Sequence, residues 1–229
     1  MPDRVGKLIL VAGFLCIFGC LPGGGHHTAA ADAIDGSAAF ATCRPALSGE
    51  VILNEVMVRP GGLDLDGDGK SNGRDEALEL VLDSDADADL SGATLWVDGL
   101  LRGTVLQAPC LSSGMLVVLT GAETAPLALP AGAVQIALDH SLGLADGGGS
   151  IELRGRLGTV LGALEYPAEA GGPPSSRTRA VDGQRDAPLV PHRSLPAADG
   201  APWSIGRCAT GLAPCTCIAA QKALCDMGR

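Results

Sequence analysis

The chain of 229 residues predicts an all-β fold, an antiparallel β-sandwich. Three observations carry that expectation. Short apolar runs rich in β-branched residues recur along the chain, glycine or proline stands in the gaps between them, and no long stretch repeats apolar residues at helical spacing.

The first strand is expected at 50–58, where Val51, Leu53, Val56 and Val58 are mixed with Ile52, Asn54, Glu55 and Met57 before Pro60-Gly61-Gly62 closes the run. Residues 76–82 are ambiguous alone, because Leu78, Leu80 and Leu82 alternate as in a strand while Ala77, Glu76 and Glu79 favour helix. Their length and the turn-rich 83–89 that follow decide for strand. Asp89-Leu90-Ser91-Gly92 opens a third strand at 94–97, which turns at Asp98-Gly99. Further strands are expected at 103–106, 115–120, 134–138, 150–153 and 160–166. Beyond Pro167 a Pro/Gly/Ser-rich passage reads as largely irregular until Trp203.

The N-terminus predicts export. Arg4 and Lys7 precede an uncharged apolar run at 8–18, too short for a bilayer span of about 20 residues but of signal-peptide length. Ile17-Phe18-Gly19-Cys20 resembles the lipobox of bacterial lipoproteins. That resemblance implies a signal peptide at 1–19 and acylation of Cys20; ordinary secretion, with cleavage among residues 29–31, is the alternative. Several acyl chains on one residue anchor firmly, since each buried methylene adds about 0.8 kcal/mol. No aspartate follows Cys20, so an outer-membrane destination is expected. Residues 20–42 read as a flexible tether, in which His26-His27 is expected to be merely solvated.

A net charge of −10 argues against nucleic acid and anionic lipid as partners. Aromatic residues make up only 3% of the chain, so the core must be aliphatic, with Phe40, Trp96, Tyr166 and Trp203 as packing anchors. Six cysteines remain beyond Cys16 and Cys20: Cys43, Cys110, Cys208, Cys215, Cys217 and Cys225. In an exported chain they read as disulfides, although spacing does not choose the pairing. Cys43 and Cys110 could pair, and residues 208–229 form a small cysteine-rich tail. Zinc at Cys215-Thr216-Cys217 is the weaker alternative, for want of a second matched pair.

The stretch from Asp64 to Asp75 carries the clearest chemistry. Aspartates stand at its first, third, fifth and twelfth positions, with Gly69 at the sixth and Asn72 at the ninth. This is the EF-hand- or dockerin-like spacing that wraps oxygen ligands around calcium, with aspartate where glutamate is usual at the close. Asp64, Asp66 and Asp68 would supply side-chain oxygens, Lys70 its carbonyl, and Asn72 a contact through water. Asp75 closes the site, and its short arm calls for a tighter loop or for help from Glu76. A weak calcium site is expected. A solvated acidic connection is the alternative, and so long a connection without structure of its own is uncommon unless something holds it. The second acidic run, Asp83, Asp85, Asp87 and Asp89, lacks glycine and reads as a solvated face.

No catalytic constellation is legible: the chain has no G-x-S-x-G, no H-E-x-x-H and no P-loop. His140 and His192 read as solvated loop histidines. Residues adjacent in sequence, such as Asp139-His140-Ser141, do not make a triad.

Asn54-Glu55, Asp75-Glu76-Ala77-Leu78-Glu79-Leu80, Asp89-Leu90-Ser91-Gly92, Ser176-Arg177, Asp182-Gly183 and Trp203-Ser204-Ile205-Gly206-Arg207 together resemble a lamin-tail domain, over about residues 48–207. The resemblance implies an immunoglobulin-like β-sandwich, placed at 43–207, of a kind found in nuclear lamins and in many exported bacterial proteins. Bacterial members often carry an aspartate-rich insert after the first strand, where Asp64 to Asp75 stands. Leu80-Val81-Leu82, Ala93 and Ile205 depart from the family, which has an aromatic, a tryptophan and a proline at those places. The expected function is a non-catalytic, lipid-anchored cell-envelope module for adhesion or protein interaction, stabilised by calcium, its partner an envelope or extracellular protein or polysaccharide. The alternative is an accessory domain of a secreted hydrolase, or a metal-dependent phosphoesterase.

Overall fold

The computed structural model describes residues 43–58, 61–168 and 175–209. The expected signal peptide, Cys20, the expected tether with Phe40, and Cys215, Cys217 and Cys225 lie outside the described residues.

The described chain is nearly all β. Its strands are β1 (Arg44–Pro45), β2 (Val51–Met57), β3 (Ala77–Leu82), β4 (Ala88–Asp89), β5 (Thr94–Val97), β6 (Leu100–Thr104), β7 (Leu116–Thr120), β8 (Ala133–Ala137), β9 (Gly148–Arg154), β10 (Val160–Pro167), β11 (Arg177–Arg179) and β12 (Leu189–Pro191). They form a six-stranded sheet in the order β12-β11-β2-β3-β7-β8, a four-stranded sheet β10-β9-β5-β6 and a small pair β1-β4. The two larger sheets make a sandwich-like arrangement over an aliphatic core. Into it point Val51, Leu53 and Val56 from β2, Leu78, Leu80 and Leu82 from β3, and Leu95, Val97, Ile151 and Leu153 from the other sheet. Tyr166 is the buried aromatic of this core, its hydroxyl held by Ala145.

The sheets close most tightly where β10 meets β2. A Cβ on Gly162 would collide with the Val51 carbonyl oxygen, so only glycine allows that approach. Beyond the short β11, the carbonyls of Val51 and Leu53 have no strand partner on that side. Arg185 and Arg179 side chains donate to them instead, at 3.2 Å each.

Three expectations about the strands need correction. The sandwich is not wholly antiparallel, because β7 and β8 pair in parallel, as do β1 and β4. Residues 121–132 cross the outer face of the six-stranded sheet, where Leu127 and Leu129 pack, and so β8 re-enters in the direction of β7. The strand expected at 103–106 begins at Leu100, since Asp98-Gly99 makes a two-residue hairpin with Val97 opposite Leu100. The passage after Pro167 is not irregular throughout: β11 and β12 extend the larger sheet.

β2 and β3 are buried on both faces. Residues 192–209, after β12, account for much of this, lying over the outer face of the six-stranded sheet and bringing Trp203 and Ile205 against Met57, Ala77 and Val118. Trp96, by contrast, is no core anchor. It is half-exposed on the four-stranded sheet, with the Arg154 guanidinium 4.4 Å from its ring centroid.

Cys43 and Cys110 form a disulfide that ties the entry of the fold to the loop after β6, closing 67 residues. Cys208 is buried and also disulfide-bonded.

Candidate functional site

The aspartate loop joins β2 to β3, strands on both sides. Side-chain oxygens of Asp64, Asp66 and Asp68 lie within 4.8 Å of one another, a group that could hold a metal ion. The loop's own amides arrange them. Gly67 and Gly69 N–H donate to the two oxygens of Asp64 at 2.8 Å each, the Asp68 amide to Asp66 at 3.0 Å, and the Lys70 amide to Asp68 at 2.8 Å. Gly69 takes φ +81°, the left-handed turn that lets the loop fold back on Asp64. The Asp68 amide draws the Asp66 carboxyl down, but partial desolvation and the charges of Asp68 and Asp75 leave it above its ordinary value. A cation at this point would offset that repulsion. Three clustered carboxylates are a hard oxygen donor set, which suits a hard divalent ion.

Asp75 lies apart from that group of three. It is fully buried: Oδ1 accepts the amides of Leu65 at 2.6 Å and Asp66 at 3.2 Å, and Oδ2 accepts the Asn72 amide at 2.7 Å. It therefore pins the two ends of the loop together through backbone. Asn72 sits beside the cluster, its Nδ2 3.5 Å from Asp68 Oδ2 and its Oδ1 accepting the Arg74 amide. Lys70 is exposed. Leu65 plugs the loop into the apolar patch with Met57 and Val118, so loop shape is coupled to sheet packing.

Glu76, expected as a helper at the close of the loop, is engaged elsewhere. Its Oε2 accepts the Leu144 amide at 3.0 Å beneath the loop before β9. Burial raises its carboxyl to about 7, and the amides of Leu144 and Gly143 only partly counter it. A raised carboxyl stabilises the fold fully below its unfolded value, about 4.3, and that contribution is lost as pH rises through 7. Glu76→Gln, which keeps the acceptor and removes the charge, should flatten the fall in stability between pH 5 and 8. The flattening should amount to up to about 3 kcal/mol in denaturant melts.

A second constellation lies on the outer face of the six-stranded sheet, under residues 192–209. A bulge in β2 between Leu53 and Glu55 turns the adjacent Asn54 and Glu55 to the same face, toward Glu79 of β3. Asn54 Nδ2 donates to Glu79 at 2.8 Å and to Asp182 at 3.0 Å, while its Oδ1 accepts the Gly183 amide at 2.9 Å. Glu55 accepts the hydroxyl of Ser176, and from Ser204 both the amide at 3.0 Å and the hydroxyl at 2.6 Å. Glu79 accepts the Gly206 amide at 2.7 Å, and Asp182 that of Ala209 at 2.8 Å. Burial pushes all three carboxyls up; at Glu79, the charge of Glu55 adds to it.

His192 belongs to this network and is not a solvated loop residue. It is 1% exposed, its Nδ1 lies 2.8 Å from the Ala201 carbonyl, and its buried Nε2 has no hydrogen-bond partner. The sequence holds a signal for part of this. Apolar positions run Val51, Leu53, then Val56, Val58, and that change of phase marks the bulge beside Asn54-Glu55. Nothing local marks His192, whose burial depends on contacts across the chain. Serine, glutamate and histidine here serve to hold chain to chain, since all are buried and the hydroxyls of Ser176 and Ser204 already donate to Glu55.

Elsewhere, His140 is exposed and pairs with its neighbour Asp139 at 3.0 Å. Asp83, Asp85 and Asp87 are exposed, while Asp89 accepts the Ser91 amide at 2.7 Å in the turn before β5. No protein-family model matches the chain, and comparison with curated proteins returns no match.

Proposed function

We propose that this is a non-catalytic, lamin-tail-like module of a bacterial cell envelope, exported and anchored at the outer membrane through lipidated Cys20, with calcium held in the loop between β2 and β3. The observation that carries the proposal is the cluster of Asp64, Asp66 and Asp68 set in the connection between two central strands of a sandwich. Calcium there, with Lys70 and Asn72 as further contacts and Asp75 locking the ends, would hold the loop and, through Leu65, the apolar patch beneath it. The immunoglobulin-like assignment draws support from a second fact. Asn54, Glu55, Glu79, Ser176, Asp182, Gly183, Ser204 and Gly206, scattered through the segments that resemble the family, all meet in one buried network. With these side chains committed to the fold, the module acts by presenting a surface to an envelope or extracellular protein or polysaccharide.

Cross-linking on intact cells tests this reading. The anchored wild-type chain should capture a reproducible partner in calcium, and Asp66→Ala with Asp68→Ala should weaken the capture. Cys20→Ala should release the chain from the membrane fraction. No partner above control in calcium, with Cys20→Ala still membrane-bound, would contradict the proposal. Phosphoester hydrolysis that disappears with Asp64→Ala would favour the enzymatic alternative.

A further inference from the structure

We infer that residues 192–209 form a proton-controlled cover over the six-stranded sheet, closed when the buried carboxylate network holds its protons and loosened as they leave. The inference rests on how the cover is attached. Four amides hold the network: those of Ser204, Gly206 and Ala209 in the cover donate to Glu55, Glu79 and Asp182, and that of Gly183, in the turn between β11 and β12, donates to Asn54. The hydroxyls of Ser176 and Ser204 donate to Glu55 as well.

The groups that meet here are unbalanced in charge. β2 brings Glu55, β3 brings Glu79, the turn after β11 brings Asp182, and the 3-10 turn His192–Ser194 brings His192. Among the described residues no arginine or lysine pairs with any of the three carboxylates. The nearby Arg179 spends its guanidinium on the carbonyls of Leu53 and Ala187. Glu55 and Glu79 stand directly opposite each other across the β2–β3 pair, so full ionisation would set two like charges side by side out of water.

One proton on the Glu55–Glu79 pair removes that conflict, and burial raises the carboxyls in the same sense. Opening to water costs the network its hydrogen bonds but relieves the charge. Since the closed state binds more protons, its stability is fullest near the ordinary carboxylate value and falls as pH rises. Each linked proton changes the opening equilibrium by about tenfold per pH unit.

Residues 192–209 could open while the sandwich stays closed, because they contribute no strand to the sheet beyond β12 and are held by these carboxylates, by backbone bonds to Ser176 and by Trp203 and Ile205. The inner core of β5 and β9 against β2 and β3 does not use them. Hydrogen exchange resolved to single amides, at fixed calcium and corrected for intrinsic rates, reads this directly in the wild-type chain. Between pH 5 and 8 protection should fall at Gly183, Ser204, Gly206 and Ala209, by tenfold or more overall, while Leu95, Val97 and Ile151 keep theirs. Glu55→Gln removes one charge of the opposed pair and should make the profile of the four amides shallower, Glu79 and Asp182 remaining to titrate. Protection independent of pH at the four amides would overturn the inference. So would a fall shared equally by Leu95, Val97 and Ile151, since that is opening of the whole fold.

Discussion

Glu55→Ala should destabilise the protein by about 3–5 kcal/mol, the largest effect expected of a single side chain here. Glu55 is wholly buried and accepts three hydrogen bonds, one from Ser176 and two from Ser204. Alanine would strand the Ser204 amide and hydroxyl, while the Ser176 hydroxyl keeps the Pro202 carbonyl at 3.2 Å, and each orphaned group costs about 1–3 kcal/mol. Relief of the charge opposition with Glu79 returns part of this, which is why the sum is not larger. Glu55→Gln separates the two contributions. Its oxygen can serve Ser176 and the Ser204 amide, while its NH2 donates to a rotated Ser204 hydroxyl. The glutamine variant should therefore lose about 1 kcal/mol at pH 5, and less at pH 8. Urea denaturation at both pH values checks the pair. Equal losses for alanine and glutamine would mean that the hydrogen bonds to Glu55 contribute little.

Cys43→Ser with Cys110→Ser ranks second, with an expected loss of about 2–4 kcal/mol. The bridge spans 67 residues, so its removal frees a long loop in the unfolded chain. It also pins the residues leading into β1, where Arg44 pairs with Glu50 at 2.5 Å and donates to Ser84 at 2.8 Å. Without the disulfide this corner should fray first. Melting of the double variant against wild type measures the loss, and an unchanged midpoint would show that the entry corner is held by its hydrogen bonds alone.

Much of the fold was legible because the core strands announce themselves locally. Val51 and Leu53, Leu78 and Leu80, and Leu116 to Leu119 are dense in aliphatic residues, and turn residues separate them. The aspartate loop was legible for a similar reason, its geometry being set by side chains that hydrogen-bond to amides two to five residues away. What escaped depends on distant parts of the chain. β11 and β12 have only three residues each and exist because Arg177 and Thr178 find β2. The parallel entry of β8 follows from where Leu127 and Leu129 bury themselves. Trp96 looked like a core residue by composition alone, but Leu95 and Val97 on either side take the inward positions of β5. Asp75 was legible as the closing residue of the loop, yet its bonds to the amides of Leu65, Asp66 and Asn72 could not be read from spacing.

The claim that calcium stabilises this fold is tested most directly by calorimetric melting of chelated protein as calcium is added. An ion at a hundredfold excess over its dissociation constant should stabilise the fold by about 2.7 kcal/mol, raising the melting midpoint by several degrees. Magnesium, which demands a stricter geometry, should do less. Asp66→Ala with Asp68→Ala should abolish the rise while leaving the chelated midpoint near that of wild type. A melting curve that calcium leaves unchanged, or a rise that survives in the double variant, would contradict the account.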